Sequence, residues 1–250
     1  FIAKLSADGS TVNYATYLGG SNDDRGTDIT VDTSGSAYVT GLTASANFPV
    51  STGAYDISFN SGTSDAFVAK LNPAGSALTY ATYLGGGNED VGNALSLDTT
   101  GAVYITGNTN SPNFPVVAGG FDIDYNDTIN PDAYAVKLSA DGTTLVQGTF
   151  LGGNSSDYGN AIFTDTSGAT YILGTTNSNN FPITSWGYDV SYNGFKDTFL
   201  LKLNAVGSSL NYGTYMGSPN DDNGLAIAVD ANGVFYFTGS TSSANFPTTP

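Results

Sequence analysis

Asn47-Phe48-Pro49 recurs as Asn113-Phe114-Pro115, Asn180-Phe181-Pro182 and Asn245-Phe246-Pro247, with the phenylalanines 66, 67 and 65 residues apart. A fixed period of this size marks one supersecondary unit copied along the chain, each copy burying its apolar face against its neighbours. Whatever recurs in all four copies is therefore first a folding device. Whatever occurs in one copy only is the better candidate for function.

One copy reads as four short strands. Ala66-Phe67-Val68-Ala69-Lys70-Leu71 is a short apolar run, closed by the turn Asn72-Pro73-Ala74-Gly75. Leu78 to Leu84 is rich in aromatic and β-branched residues and forms the second strand. The polar loop Gly85 to Gly92 leads to a third strand, Ala94-Leu95-Ser96-Leu97, and a tight turn, Asp98-Thr99-Thr100-Gly101, leads to a fourth, Ala102 to Gly107. No stretch carries the 3.6-residue period over helical length. Four short antiparallel strands per copy describe a propeller blade. The small apolar Ala94–Leu97 strand and its equivalents suit the crowded axis. A blade then runs from that strand through the Tyr104 strand, across the Asn-Phe-Pro linker, to the Tyr134 strand and the Leu145–Phe150 strand. The expected fold is all-β, a β-propeller of four-stranded antiparallel blades, either four blades or a four-blade segment of a larger ring.

The succession Ala-Phe-Val-Ala-Lys-Leu, Tyr-Ala-Thr-Tyr-Leu-Gly-Gly, Asp-x-Gly-x-Ala-Leu, Asp-x-x-Gly-x-x-Tyr-x-x-Gly-x-Thr and Asn-Phe-Pro resembles the SBBP beta-propeller repeat. The resemblance extends over all four copies. It implies an extracellular scaffold of the kind found in large bacterial and some archaeal secreted or surface proteins, and it implies no reaction.

The 250 residues read as one domain of four repeats, 1–64, 65–131, 132–196 and 197–250, entered and left in mid-repeat. On that register the termini are able to pair and complete a shared blade. The chain lacks Cys and His, which removes disulfides, thiol sites, structural zinc and the usual catalytic triads and dyads. No apolar run approaches the length of a membrane span. With 22 acidic residues against 6 basic ones, nucleic acid and anionic membrane surfaces are poor partners. All the acids but Glu89 are Asp, a turn and cap residue, so the charge belongs to loops.

Three patterns are candidate sites. The Asp-x-Gly loop recurs with Asp24, Asp90, Asp157 and Asp222, and Lys4, Lys70, Lys137 and Lys202 share one strand position. Paired carboxylates suit acid–base chemistry, but a feature copied into every blade is better read as structural. An ammonium between apolar neighbours needs a partner, and the Asp-x-Gly carboxylate is the expected one. In the linkers, Asp56-x-Ser58-x-Asn60, Asp122-x-Asp124-x-Asn126-Asp127 and Asp189-x-Ser191-x-Asn193 place oxygen side chains at alternate positions, as in the first half of a calcium loop. Asx turns organising a long loop are the competing reading, and Ca2+ is the one cofactor considered. Finally, Trp186, the single Trp, stands where other copies have small residues, and it and the nearby Tyr188 are candidates for ligand or partner contact. The expectation is a non-enzymatic structural or binding module of an extracellular or cell-surface adhesin, filament or repeat protein. Its expected partners are protein or glycan, with self-association into fibres as one form. The alternative is a carbohydrate-active propeller enzyme using paired Asp residues.

Overall fold

The structure, a computed structural model, describes residues 1–126 and 129–249. Asp127, one of the linker acids, and Pro250 lie outside the described residues. The described residues are all-β and form sixteen strands in chain order. β1 (Ile2–Leu5) and β2 (Val12–Thr16) pair as a hairpin. β3 (Asp24–Val31), β4 (Ala37–Thr43), β5 (Asp65–Leu71) and β6 (Leu78–Leu84) make the first four-stranded sheet. β7 (Asp90–Leu97), β8 (Val103–Thr109), β9 (Asp132–Leu138) and β10 (Leu145–Leu151) make the second. The third comprises β11 (Asp157–Thr164), β12 (Thr170–Thr176), β13 (Asp197–Leu203) and β14 (Leu210–Met216), and β15 (Asp222–Val229) pairs with β16 (Phe235–Thr241). Every pairing is antiparallel between consecutive strands, and the Asn-Phe-Pro segment joins the second strand of each sheet to the third. These are propeller blades.

The first strands of successive blades lie side by side, β3 against β7, β7 against β11 and β11 against β15. The apolar core sits between blades rather than within one. One cluster joins Tyr38, Val68 and Leu84 of the first blade to Leu95, Ile105, Phe114 and Val136 of the second. The next joins Tyr104, Ala135 and Leu151 to Ile172, Phe199 and Leu201 of the third. Three of the four linker phenylalanines anchor such layers: the rings of Phe48, Phe114 and Phe181 are centred 4.6, 4.2 and 4.3 Å from those of Phe67, Tyr134 and Phe199.

The termini do not complete a shared blade. β1–β2 and β15–β16 remain separate two-stranded sheets, and the ring is open. Ile29 and Val31 on β3 and Leu225 on β15 stay exposed, as expected where an inner strand has a blade on one side only.

Each inner strand carries a bulge after the Asp-x-Gly glycine, at Gly26/Asp28, Gly92/Ala94, Gly159/Ala161 and Gly224/Ala226. The glycine itself is a requirement of packing. A β-carbon on Gly92 would lie 2.2 Å from the Thr40 hydroxyl, and one on Gly159 would lie 2.1 Å from that of Thr106, each in the preceding blade.

Candidate functional site

The Asp-x-Gly aspartates open the inner strands and turn their carboxylates back onto the loop that precedes them. Oδ2 of Asp90 accepts the Gly86 N–H at 2.7 Å and the Ser111 hydroxyl at 2.9 Å. The same two bonds recur at Asp24 (Gly20, Ser45), Asp157 (Gly153, Ser178) and Asp222 (Ser218, Ser243). This geometry ties the entry of each inner strand to the exit of its β-hairpin partner, which is the work of a capping acceptor.

The lysines find a different partner from the one expected. Lys70 lies 3.6 Å from Asp32 and Lys137 lies 3.0 Å from Asp98. Neither reaches Asp90 or Asp157, because Lys stands near the end of the third strand and the Asp-x-Gly acids stand at the opposite end of the blade. The partner is the aspartate of the turn between the first two strands, the Asp98-Thr99-Thr100-Gly101 type. Its Oδ1 accepts the N–H groups two and four residues on, as at Thr100 and Ala102 (2.9 and 3.1 Å). Its Oδ2 is left for the ammonium. The register then lays each Lys across a tyrosine of the second strand, with Nζ 4.7 Å from the Tyr38 and Tyr104 ring centres and 4.6 Å from that of Tyr171 for Lys202. At Asp98 burial pushes the carboxyl up, but the Thr100 hydroxyl, Lys137 and the turn N–H groups outweigh it and hold the pKa below its ordinary value. Asp165 is held down in the same way, with Lys202 contributing. Lys4 has no such acid within the chain's own first hairpin and approaches the Pro73 carbonyl at 3.4 Å.

The linker acids fold as Asx turns in all three copies. Asp56 Oδ1 accepts the Ser58 N–H and its Oδ2 accepts the Asn60 amide at 2.6 Å. Asp122 serves Asp124 and Asn126, and Asp189 serves Ser191 and Asn193, in the same pattern. The alternating oxygens thus bond to one another's donors instead of converging on a centre. Among the described residues no group of three or more acidic side chains comes together as a metal cage.

Trp186 and Tyr188 are 65% and 67% exposed. The Trp186 ring stands 5.4 Å from Tyr212 on β14, whose ring lies 5.6 Å from Phe235 on β16, so an aromatic string runs from the third blade to the last sheet. Phe195 and Val190 are exposed in the same linker.

One repeated element carried no signal in the motif reading. The bulge residue that follows each Asp-x-Gly triplet reaches into the next blade: Thr27 donates to the Gly92 carbonyl at 2.5 Å, Asn93 to that of Gly159 at 3.0 Å and Asn160 to that of Gly224 at 2.8 Å. The series Thr, Asn, Asn ends at Leu225, which has no donor to offer. A polar residue at that one position in the three copies followed by a further blade was the available clue.

The family model described as "Beta-propeller repeat" (SBBP) matches residues 13–49 and 79–115. Each match runs from a fourth strand through the next blade's two inner strands to Asn-Phe-Pro. No curated protein matches the chain. Residues 13–49 and 79–115 are thus two SBBP-type beta-propeller repeats, and the four-strand unit they enter is folded three times along the chain.

Proposed function

We propose that this chain is a non-enzymatic scaffold segment of an extracellular or cell-surface protein, presenting a binding surface for protein, glycan or further copies of itself. The observation that carries the reading is that the conspicuous acids are spent on the fold. The Asp-x-Gly carboxylates cap loops, the turn carboxylates hold lysines, and the linker carboxylates close Asx turns. An enzyme needs a constellation unique to one place and open to substrate. Here the acids recur with the period, and those of the Asp-x-Gly loops in the second, third and last sheets are fully buried, where no sugar can reach them. That counts against a hydrolase built on paired Asp residues. The rim aromatics Trp186, Tyr188 and Phe195 are the surface best suited to a partner, since exposed aromatic rings bury large area at small entropic cost. An acidic, loop-charged surface is also consistent with a setting rich in salt and divalent cations.

The test is a turnover screen with the purified chain against chromogenic glycosides and soluble polysaccharides. No turnover above buffer is expected. Turnover that disappears in Asp122→Asn or Asp90→Asn protein would overturn the scaffold reading.

A further inference from the structure

Two carboxylates from different loops meet at the junction of successive blades, with nothing positive between them. Asp65, which opens β5, and Asp90, which opens β7, are both fully buried. They face each other across Gly85: a β-carbon there would lie 3.0 Å from Asp65 Oδ1 and 2.8 Å from Asp90 Oδ2. The next blade junction but one repeats the arrangement with Asp197 on β13 and Asp222 on β15, on either side of Gly217. In both places the pair is joined by backbone. The Asp90 N–H donates to the Ser64 carbonyl and the Asp222 N–H donates to that of Lys196, so the residue before one acid is bonded to the other.

The bonds these carboxylates make leave oxygens over. Asp65 Oδ2 accepts the Asn60 N–H, and Asp197 Oδ2 accepts that of Asn193, each at 2.8 Å. Oδ1 of Asp65, of Asp197 and of Asp222 is buried with no hydrogen-bond donor, whereas Oδ1 of Asp90 accepts the Thr109 hydroxyl, so the first pair has one oxygen over and the second has two. Among the described residues the ion pairs use Asp23, Asp32 and Asp98, so no Lys or Arg neutralises either pair. A buried, unpaired carboxylate oxygen costs several kcal/mol, and two like charges in one dry site cost more. Burial first, and then the carboxylates of Asp90 and Asp56, push Asp65 up, and burial with those of Asp189 and Asp222 pushes Asp197 up, against the Asn60 and Asn193 N–H groups that lower them. Asp90 acts on Asp65, and Asp222 on Asp197, through space and without a direct carboxyl–carboxyl hydrogen bond. A cation lying between the two carboxylates would answer both the uncompensated negative charge and the unpaired oxygens.

We propose that a divalent cation of the calcium type binds between Asp65 and Asp90, and another between Asp197 and Asp222, fastening the linker of one blade to the inner strand of the next. The donors are all oxygen, and there is no imidazole or thiolate in the chain, which selects a hard cation over zinc or copper. Loop carboxylates supplemented by backbone carbonyls and water suit the irregular six- to eight-fold shell of calcium better than the strict octahedron of magnesium. The site differs from the linker pattern Asp56-x-Ser58-x-Asn60, whose carboxylate is occupied by its own Asx turn. It is also independent of whether the chain is a scaffold or an enzyme.

Terbium luminescence and thermal melts of the 250-residue chain decide the matter. Tyr83 and Tyr215 lie in the fields of Asp65 and Asp197 respectively, so bound terbium is expected to luminesce on tyrosine excitation and to be displaced by calcium. Sites of this extracellular kind half-fill at about 0.1–1 mM calcium. The chelated protein is expected to melt several degrees lower than the protein in millimolar calcium. Asp65→Asn combined with Asp197→Asn should abolish most of that rise, and Asp56→Asn combined with Asp189→Asn should keep it. Absence of sensitised terbium luminescence in the unmodified chain, with equal melting in chelator and calcium, overturns the proposal without need of any variant. So does loss of the calcium effect in the linker variants alone, which would place the ion there. Stabilisation by mild acid that calcium neither matches nor reduces would mean the pairs hold protons only, and would also overturn it.

Discussion

Lys137 sits where three interactions meet: its ammonium is 3.0 Å from Asp98, lies over the Tyr104 ring, and is carried on a mostly buried stem. A partly exposed ion pair contributes about 0.2–1 kcal/mol and a cation over an aromatic face about as much again. Lys137→Met is therefore expected to destabilise the chain by about 1 kcal/mol in urea titrations. Lys70→Met should cost less, since its acid stands at 3.6 Å, and Lys4→Met should be near neutral. Equal losses at all three positions would refute a role for the turn carboxylate. The position of these lysines was readable from the repeat, but the identity of their partner was not. Asp-x-Gly and turn aspartates recur with the same period as Lys, so periodicity cannot choose between them. Strand register chooses: Lys70 pairs with Tyr38, six residues after Asp32, whereas Asp90 lies at the far end of the next blade's inner strand. The bulge residues were missed for a related reason. A lone Thr or Asn in a strand has no meaning until a bulge points it at the neighbouring blade's carbonyl.

At the scale of the element, the turn between the first two strands of each blade is the acid-sensitive part. Asp32, Asp98 and Asp165 are each held below the ordinary carboxylate pKa by turn hydroxyls and N–H groups and by a lysine, against the opposing effect of burial. The exposed hairpin acids Asp8 and Asp141 are lowered by their own Ser and Thr neighbours, Asp8 to about 2. For a depressed pKa the unfolded chain takes up the proton first, so the native state has the full advantage above the ordinary value of 3.8 and loses it as pH falls from there through the lowered folded-state value. In chelator, melting temperature is expected to decline steeply below about pH 4, and Asp98→Asn should flatten part of that decline while lowering the plateau above it. A melting temperature that keeps rising between pH 4 and pH 2.5 would contradict this assignment. These turns were legible as turns because Asp-x-x-Gly states its own geometry. Their second duty needed the third strand to be in place.

Over the whole molecule the cores lie between blades, so each blade is stabilised by its neighbours and not by itself. That arrangement was legible from the period alone: an apolar unit copied every 66 residues or so can bury its faces only by stacking. Ring closure was not legible, because nothing in a repeat encodes the angle at which blades succeed one another, and the structure leaves β1–β2 and β15–β16 as unpaired hairpins. The consequence is a gradient of stability along the array. Ile105, Val136, Ile172 and Leu201, in the middle strands of the second and third blades, are almost wholly buried, with a blade on either side. Leu5, Val12, Leu225 and Tyr236, in the two end hairpins, are exposed. Local opening free energy follows buried apolar contact. Amides of β1, β2, β15 and β16 should therefore exchange with solvent deuterium roughly 100-fold faster than those of β8, β9, β12 and β13, the equivalent of about 3 kcal/mol in opening free energy. Uniform protection from end to end would mean that the end hairpins are covered in solution, by each other or by a second copy, and the open array would then have to be given up.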